Sequence, residues 1–444
     1  MTTVDVALHA SHADELSVWP ASTVPLPCGD LAVGGVPLAE AAGAFGTPVY
    51  LLDEAEVRDR CRTYAHAFPH ADIHYAAKAF LCRTMARWVA EEGLGLDVCS
   101  AGELEVAVAA GVPPERIILH GNAKSPEDLN AALRAGVGRV TVDSLSEVTR
   151  LAAAVGIHDE PVKVLVRVAP GVSAGAHEKM RTGTGTRKSG LSVTDGSAQH
   201  AIARVLAQPE LELTGLHCHL GSQITSVKPY LTAVRRMIGL MSHIHRSYGY
   251  TTRELDLGGG HGIPYRPEET ALDITALART LRTEMSEGCA AVGLPVPRLL
   301  IEPGRAVVGP AGVVVHRVLS VKHTEAGTLV AVDGGTSDNP RPALYGVRCT
   351  PRLAGRLSLA GPARVTMVGR HCEAGDILAT DVQLPGDIRP GDLLAVPAAG
   401  AYHLSMTSAD NLVGRPPVVA VADGKARLLV RRETLDDLSI RDVG

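Results

Sequence analysis

Between residues 70 and 305 short apolar runs alternate with longer stretches in which apolar positions recur every three or four residues. Runs rich in β-branched and apolar side chains predict strands at 72–75, 95–99, 116–120, 139–142, 162–168, 213–218, 254–257 and 298–301. The intervening stretches predict helices, among them 125–135, 144–154, 230–247 and 273–292. Ser125, with Asp128 three residues on, fits an N-cap, and Gly136, Gly156 and Gly293 stand where helix C-caps fall. Eight strands separated by helices in about 230 residues match the count and length of a (β/α)8 barrel. An open doubly wound sheet fits the same alternation and stays as the second topology.

Beyond Pro303 the period changes. Segments 309–321, 328–333, 364–368, 392–397 and 418–432 are strand-like and separated by Gly, Pro and Asp turns, with no sustained helical period before the tail. The expectation is a second, mostly antiparallel β domain, either barrel or sandwich, to which 31–36 adds a strand. The division drawn from the sequence is an N-terminal segment 1–45 joining the β domain, a barrel over 46–305, and the C-terminal β domain 306–444.

Composition narrows the function more than the fold. Of 444 residues 45% are hydrophobic, and 43 Lys+Arg against 48 Asp+Glu give a formal charge of −5 with no long run of either sign. That excludes the concentrated basic face a nucleic-acid or membrane-surface binder needs. The eight cysteines include no C-x-x-C pair, a spacing that suits neither a zinc site nor a disulfide framework, and no metal site is expected. Residues 1–15 lack an apolar signal core, and no stretch approaches ~18 uninterrupted apolar residues. A reduced, cytoplasmic chain is the expectation. Only eight of the 43 basic residues are lysines.

Active groups of a parallel barrel lie past the C-terminal strand ends. Every expected end carries a polar or glycine-rich group: Lys78, Asp97, His120, Asp143, Arg167, His217 with His219 and Ser222, Gly258-Gly259-Gly260, and Glu302-Pro-Gly304-Arg305. Three glycines alone fit a tight turn. Placed after the seventh strand, with Ser222 as a further donor, they fit a phosphate cradle. A strand-end lysine is commonly a solvated charge, but this chain uses arginine for that purpose. Only a primary amine condenses with an aldehyde. Lysine and phosphate site in one barrel mouth suggest pyridoxal 5′-phosphate (PLP). Glu302 would face its ring nitrogen, His219 would stack on the ring, and Arg167 or Arg305 would hold Glu302 or the phosphate.

These residues fall in a series of ordered motifs: Tyr75-Ala-Ala-Lys78-Ala-Phe80, Leu96-Asp97-Val-Cys-Ser-Ala-Gly-Glu-Leu104, His120-Gly-Asn-Ala-Lys-Ser125, His217-Cys-His-Leu-Gly-Ser-Gln-Ile224, Leu257-Gly-Gly-Gly-His-Gly-Ile263, Glu302-Pro-Gly-Arg305, Asn339-Pro-Arg-Pro342 with Leu344-Tyr345, His371-Cys-Glu373 and Gly400-Ala-Tyr402. The chain thereby resembles the fold-type III PLP-dependent amino-acid decarboxylases, and within them the diaminopimelate decarboxylases, over nearly its whole length. The resemblance implies a barrel of alanine-racemase type with a β domain, and Lys78 as the Schiff-base lysine. It implies Glu302 on the pyridinium nitrogen, His219 on the ring, and Ser222, Gly258, Gly259, Gly260, Gly304, Arg305 and Tyr402 around the phosphate, with Asp97 and Arg167 also lining the cofactor. Arg305, Arg341, Tyr345 and Tyr402 would bind substrate, Glu373 its distal ammonium, and Cys372 would reprotonate Cα. Family members are homodimers in which Cys372 and Glu373 serve the neighbouring subunit's site. Related racemases carry arginine opposite the ring nitrogen, so Glu302 favours decarboxylation.

Four positions depart from the family pattern: Ala374 for Ser in Cys-Glu-Ser, Ser189 for Phe in Lys-Phe-Gly (after the Gly/Thr-rich 182–186), Thr336 for Met in Gly-Gly-Met, and Asp410 for Tyr in Tyr-Asn. The leading expectation is decarboxylation of meso-2,6-diaminopimelate to L-lysine and CO2. A paralogue acting on a different amino acid in a specialised pathway is the second reading. A dead regulatory homologue would have lost Lys78 or Cys372, and this chain has both.

Overall fold

The computed structural model describes residues 16–155, 160–172, 174–175, 188–325 and 327–444. Residue 156, expected as a helix cap, and the 182–186 loop lie outside the described residues. Two compact units are present. Among the described residues, one lies within 60–262 and 271–306; the other within 16–59, 263–270 and 307–444.

The first unit is a closed barrel of eight parallel strands: β1 Asp72–Ala76, β2 Gly95–Val98, β3 Ile117–Leu119, β4 Arg139–Val142, β5 Val162–Ala169, β6 Leu211–His217, β7 Glu254–Asp256 and β8 Arg298–Ile301. Each pairs with the next in sequence and β8 returns to β1, which decides against the open sheet. Ile118, Leu165 and Leu300 are fully buried together from β3, β5 and β8. The helix Pro126–Ala135 starts on a capping box of Ser125 with Asp128, as the sequence predicts, and ends on Gly136 in the left-handed conformation.

The second unit holds a nine-stranded sheet, mostly antiparallel, in which Gly312–Thr324 is the central strand. Residues 31–36 join this unit as the sequence predicts, as Leu31–Val33 and Val36–Pro37 of a separate three-stranded sheet with Val24–Pro25. Two sequence expectations change here. The fully buried strand Val49–Asp53, inside the segment assigned to the barrel, pairs instead with Gly312–Thr324 and Val418–Ala422. Its side chains Val49 and Leu51 join Val33, Leu38, Val313, Val315 and Val419 in one apolar core. Finally, 418–432 is a hairpin of Val418–Ala422 and Lys425–Val430, because Asp423 and Gly424 both take positive φ and reverse the chain. No helix among the described residues is long and apolar enough to cross a membrane, and all eight cysteines are free.

Candidate active site

The C-terminal ends of the barrel strands enclose a cavity of about 370 Å³, whose walls include Lys78, Cys99, His120, Lys124, Arg167, His217, His219 and Glu302. Lys78 sits in the single 3-10 turn Ala77–Ala79 directly after β1. Its Nζ donates to Asp97 Oδ2 on β2 at 3.1 Å, and the lysine is half-buried while Asp97 is sealed. A carboxylate thus steers the amine before any ligand arrives.

Glu302, just past β8, is the buried anion of the site. His120 Nε2 lies 2.5 Å from its Oε1 and His217 Nε2 3.6 Å from its Oε2, and the two imidazoles meet edge to face at 4.7 Å. Burial alone would raise the carboxyl pKa; the two histidines override it and hold Glu302 well below the usual carboxylate range. The pKa of His217 falls to about 3, chiefly through burial against the opposing pull of Glu302. Asp256, at the end of β7, completes the cluster: one carboxylate oxygen of Asp256, one of Glu302 and a ring nitrogen each of His120 and His217 lie within 4.8 Å of one another. Burial, and then the negative charge of Glu302, push Asp256 well above the carboxylate range. So this cluster keeps one carboxyl ionised and its neighbour protonated.

The His219 imidazole is held well below its ordinary pKa, first by burial and then by the charges of Lys78 and Arg167. Its Nδ1 accepts from the Gly259 N–H at 3.4 Å, so the neutral ring carries its proton on Nε2. Arg167 on β5 leans on Asp143, Nε to Oδ1 3.6 Å, and Asp143 also accepts from Gly190 beside Ser189.

Gly258-Gly259-Gly260 lies against β8 and the Ser222 loop. A Cβ on Gly259 would overlap the carbonyl oxygen of Glu302, and one on Gly260 that of Gly221. Gly258 N–H is taken by Asp256 Oδ1 at 2.8 Å. Arg305 Nη2 donates to Ser222 Oγ at 3.0 Å, putting a guanidinium and a hydroxyl together beside the glycines. Gly304 packs on Ala76 and Ala79, flanking Lys78. Gly259→Ala must displace the backbone after β8 and lowers the unfolding free energy by about 1–3 kcal/mol, read from the urea midpoint at unchanged slope.

The remaining sequence candidates belong to the β unit. Arg341 is buried, with its guanidinium carbon 4.6 Å from the Tyr265 ring centre and Nη1 3.4 Å from His403 Nε2. Tyr345 closes the same short helix, Arg341–Tyr345. Tyr402 is half-buried with φ of 60°, a conformation a bulky side chain occupies only under constraint. Cys372 and Glu373 sit on an exposed turn, and Thr336 and Asp410 both belong to the hydrogen-bonded surroundings of that turn. Ala374 lies on the turn itself.

Sequence reasoning named His120 and His217 as strand-end groups without seeing that they clamp Glu302. It gave no role to Asp256 or to Lys124. Lys124 Nζ donates to Gly121 O at 2.8 Å and Thr141 O at 2.6 Å and pairs with Glu147, both side chains fully buried. The scarcity of lysine that singles out Lys78 points equally to Lys124.

The barrel, its lysine-carboxylate cavity and the β unit define a PLP-dependent enzyme of the decarboxylase type. Residues 54–309 match the family "pyridoxal-dependent decarboxylase, pyridoxal binding domain", so the chain belongs to the pyridoxal-dependent decarboxylases and PLP is its cofactor. It is 52% identical over 438 residues to the diaminopimelate decarboxylase of Actinosynnema pretiosum subsp. auranticum, covering 99% of this chain and 98% of that one. The Mycobacterium tuberculosis diaminopimelate decarboxylase is 48% identical over 432 residues, covering 95% and 97%. Among solved structures, diaminopimelate decarboxylase from M. jannaschii in co-complex with L-lysine superposes with a TM-score of 0.89 at 29% identity, covering 96% and 98%.

Proposed function

We propose that this protein decarboxylates meso-2,6-diaminopimelate to L-lysine and CO2. The observation that carries the reading is a single cavity with the Lys78 amine on its wall and the ionised Glu302, clamped by two histidines, behind it. The relatives whose names state this activity match almost end to end. The residues fit the cofactor: an amine to bind the aldehyde, a buried carboxylate for the ring nitrogen, and a guanidinium and a hydroxyl, Arg305 with Ser222, beside a close-packed glycine loop.

When bound, PLP supplies an electron sink for the pair left at Cα as CO2 departs. Lys78 anchors it and Asp97 aims the amine. Glu302, whose carboxyl stays ionised, would keep the ring nitrogen protonated. The neutral His219 would stack on the ring, Arg305 with Ser222, Gly258, Gly259, Gly260, Gly304 and Tyr402 would hold the phosphate, and Arg167 would also line the cofactor. On the substrate side Arg305, Arg341 and Tyr345 would take the carboxylate, Tyr402 would line the substrate, and Glu373 would take its distal ammonium. Cys372 Sγ returns a proton to Cα. The chain works as a homodimer in the cytoplasm, each subunit lending Cys372 and Glu373 to the other.

Purified protein loaded with PLP and given meso-diaminopimelate, lysine, ornithine, arginine or glutamate is expected to release CO2 from diaminopimelate at least about 100-fold faster than from the others. A hydrogen-bonding site rejects analogues that leave its buried polar groups unpaired. Brisk release from another amino acid, with none from diaminopimelate, overturns the assignment.

A further inference from the structure

We infer that Asp410, acting through His371 and Asn411, is a positioning residue for Cys372; the inference rests on the reading of Cys372 as the proton donor. The two segments are 39 residues apart in sequence, and four groups close a ring. Asp410 Oδ2 faces His371 Nδ1 at 3.8 Å. Asp410 Oδ1 accepts from Asn411 Nδ2 at 3.2 Å, which turns the amide oxygen outward. That oxygen, Asn411 Oδ1, accepts the backbone N–H of Cys372 at 3.1 Å. The peptide bond from His371 to Cys372 completes the circuit.

Each side of the ring is itself fixed. The His371 imidazole is buried, its Nε2 lies 2.7 Å from Ser337 Oγ, and Ser337 in turn donates to Asp338 at 3.2 Å. The His371 N–H donates to Asp376 Oδ2 at 2.8 Å, while Asp376 Oδ1 accepts from the Thr336 N–H at 2.7 Å. On the other side Asn411 and Leu412 are consecutive non-glycine residues with φ of 51° and 52°. Such strain persists only where the surroundings impose it, and here it brings the Asn411 amide to the cysteine backbone. The proton donor's main chain is thereby pinned while its thiol and Glu373 remain exposed.

Two of the four departures from the family pattern, Thr336 and Asp410, belong to this frame. A tyrosine at 410 offers one phenolic oxygen; the carboxylate accepts from the Asn411 amide with one oxygen and sets the other 3.8 Å from His371 Nδ1. The chain keeps the family's Cys-Glu pair and braces it with a different group.

The test uses the holoenzyme with Asp410→Ala, Asp410→Glu, Cys372→Ala and the double variant Cys372→Ala/Asp410→Ala. Asp410→Ala is expected to lower kcat by about 10- to 100-fold with KM within about twofold, since misplacing a reacting group by about 1 Å costs that much. Asp410→Glu recovers most of the rate, and the double variant is no slower than Cys372→Ala alone. Hydrogen exchange of the 371–374 amides, which needs no turnover, is expected to quicken in Asp410→Ala. Unchanged exchange, or a further loss of rate from Asp410→Ala in the Cys372→Ala background, overturns the positioning role. Full turnover by Cys372→Ala with faster exchange in Asp410→Ala overturns the proton-donor reading and leaves the structural ring standing.

Discussion

Lys78→Ala yields a folded protein that holds PLP without a covalent bond, and its turnover falls on the order of 10⁴-fold or more. Borohydride reduction followed by peptide mass spectrometry reads the attachment directly: the adduct on the 75–80 segment disappears. Folding is expected to survive because Lys78 is half-buried and its partner Asp97 lies in a strand whose ladder the variant leaves intact. Neither an arginine nor an alanine replaces the amine, but a lysine restored at 78 does. An adduct that persists in Lys78→Ala assigns the attachment elsewhere, and Lys124 is then the first place to look.

Glu302→Gln separates charge from attachment. The amide keeps the size of the side chain and its acceptor oxygen but gives up the anion between His120 and His217. Turnover is expected to fall about 10²–10³-fold, the usual effect of removing one preorganised electrostatic group, while the reduced adduct on Lys78 remains at full yield. Wild-type turnover in Glu302→Gln rules out a role for the charge on the ring nitrogen. A pH dependence follows with a definite sign. Because the folded-state pKa of Glu302 lies below its unfolded value, its ionised form stabilises the fold above the ordinary carboxylate range. That contribution fades as pH falls from the ordinary carboxylate range towards the depressed value. Because Glu302 stays ionised in the native state through pH 4–5, the acid limb of the kcat profile there is expected to be unchanged between wild type and Glu302→Gln.

The barrel was legible because parallel strands buried on both faces read as short apolar runs, and each ends on a residue whose chemistry stands out. Strands β4 and β8 match the sequence reading residue for residue. The 49–53 strand was not legible. Its five buried residues have the texture of a barrel strand, and only its partners at 312–315 and 418–421 reveal its sheet. The hairpin at 418–430 was missed although Asp423-Gly424 is a strong two-residue turn signal. Among site residues, Lys78, Asp97, Arg167, His219 and Glu302 could be read from strand ends. The clamp on Glu302 could not, because His120, His217 and Asp256 come from three strands and only closure of the barrel brings them together. Glu147 shows the same limit. In the first turn of a helix a glutamate reads as a solvated partner of the helix dipole, yet here it is buried against Lys124.

Lys124 also bears on which amine reacts. Two lysines line one cavity that receives an aldehyde. The Lys124 nitrogen has three hydrogens and three acceptors for them, Gly121 O, Thr141 O and the Glu147 carboxylate. Burial draws its pKa downward, but an amine donating three hydrogen bonds has no lone pair to offer. Lys78 is half-buried beside the Asp97 carboxylate at 3.1 Å and faces the cavity rather than being sealed. Chemoselectivity between two identical functional groups in one chamber is then set by confinement of the wrong nucleophile as much as by activation of the right one.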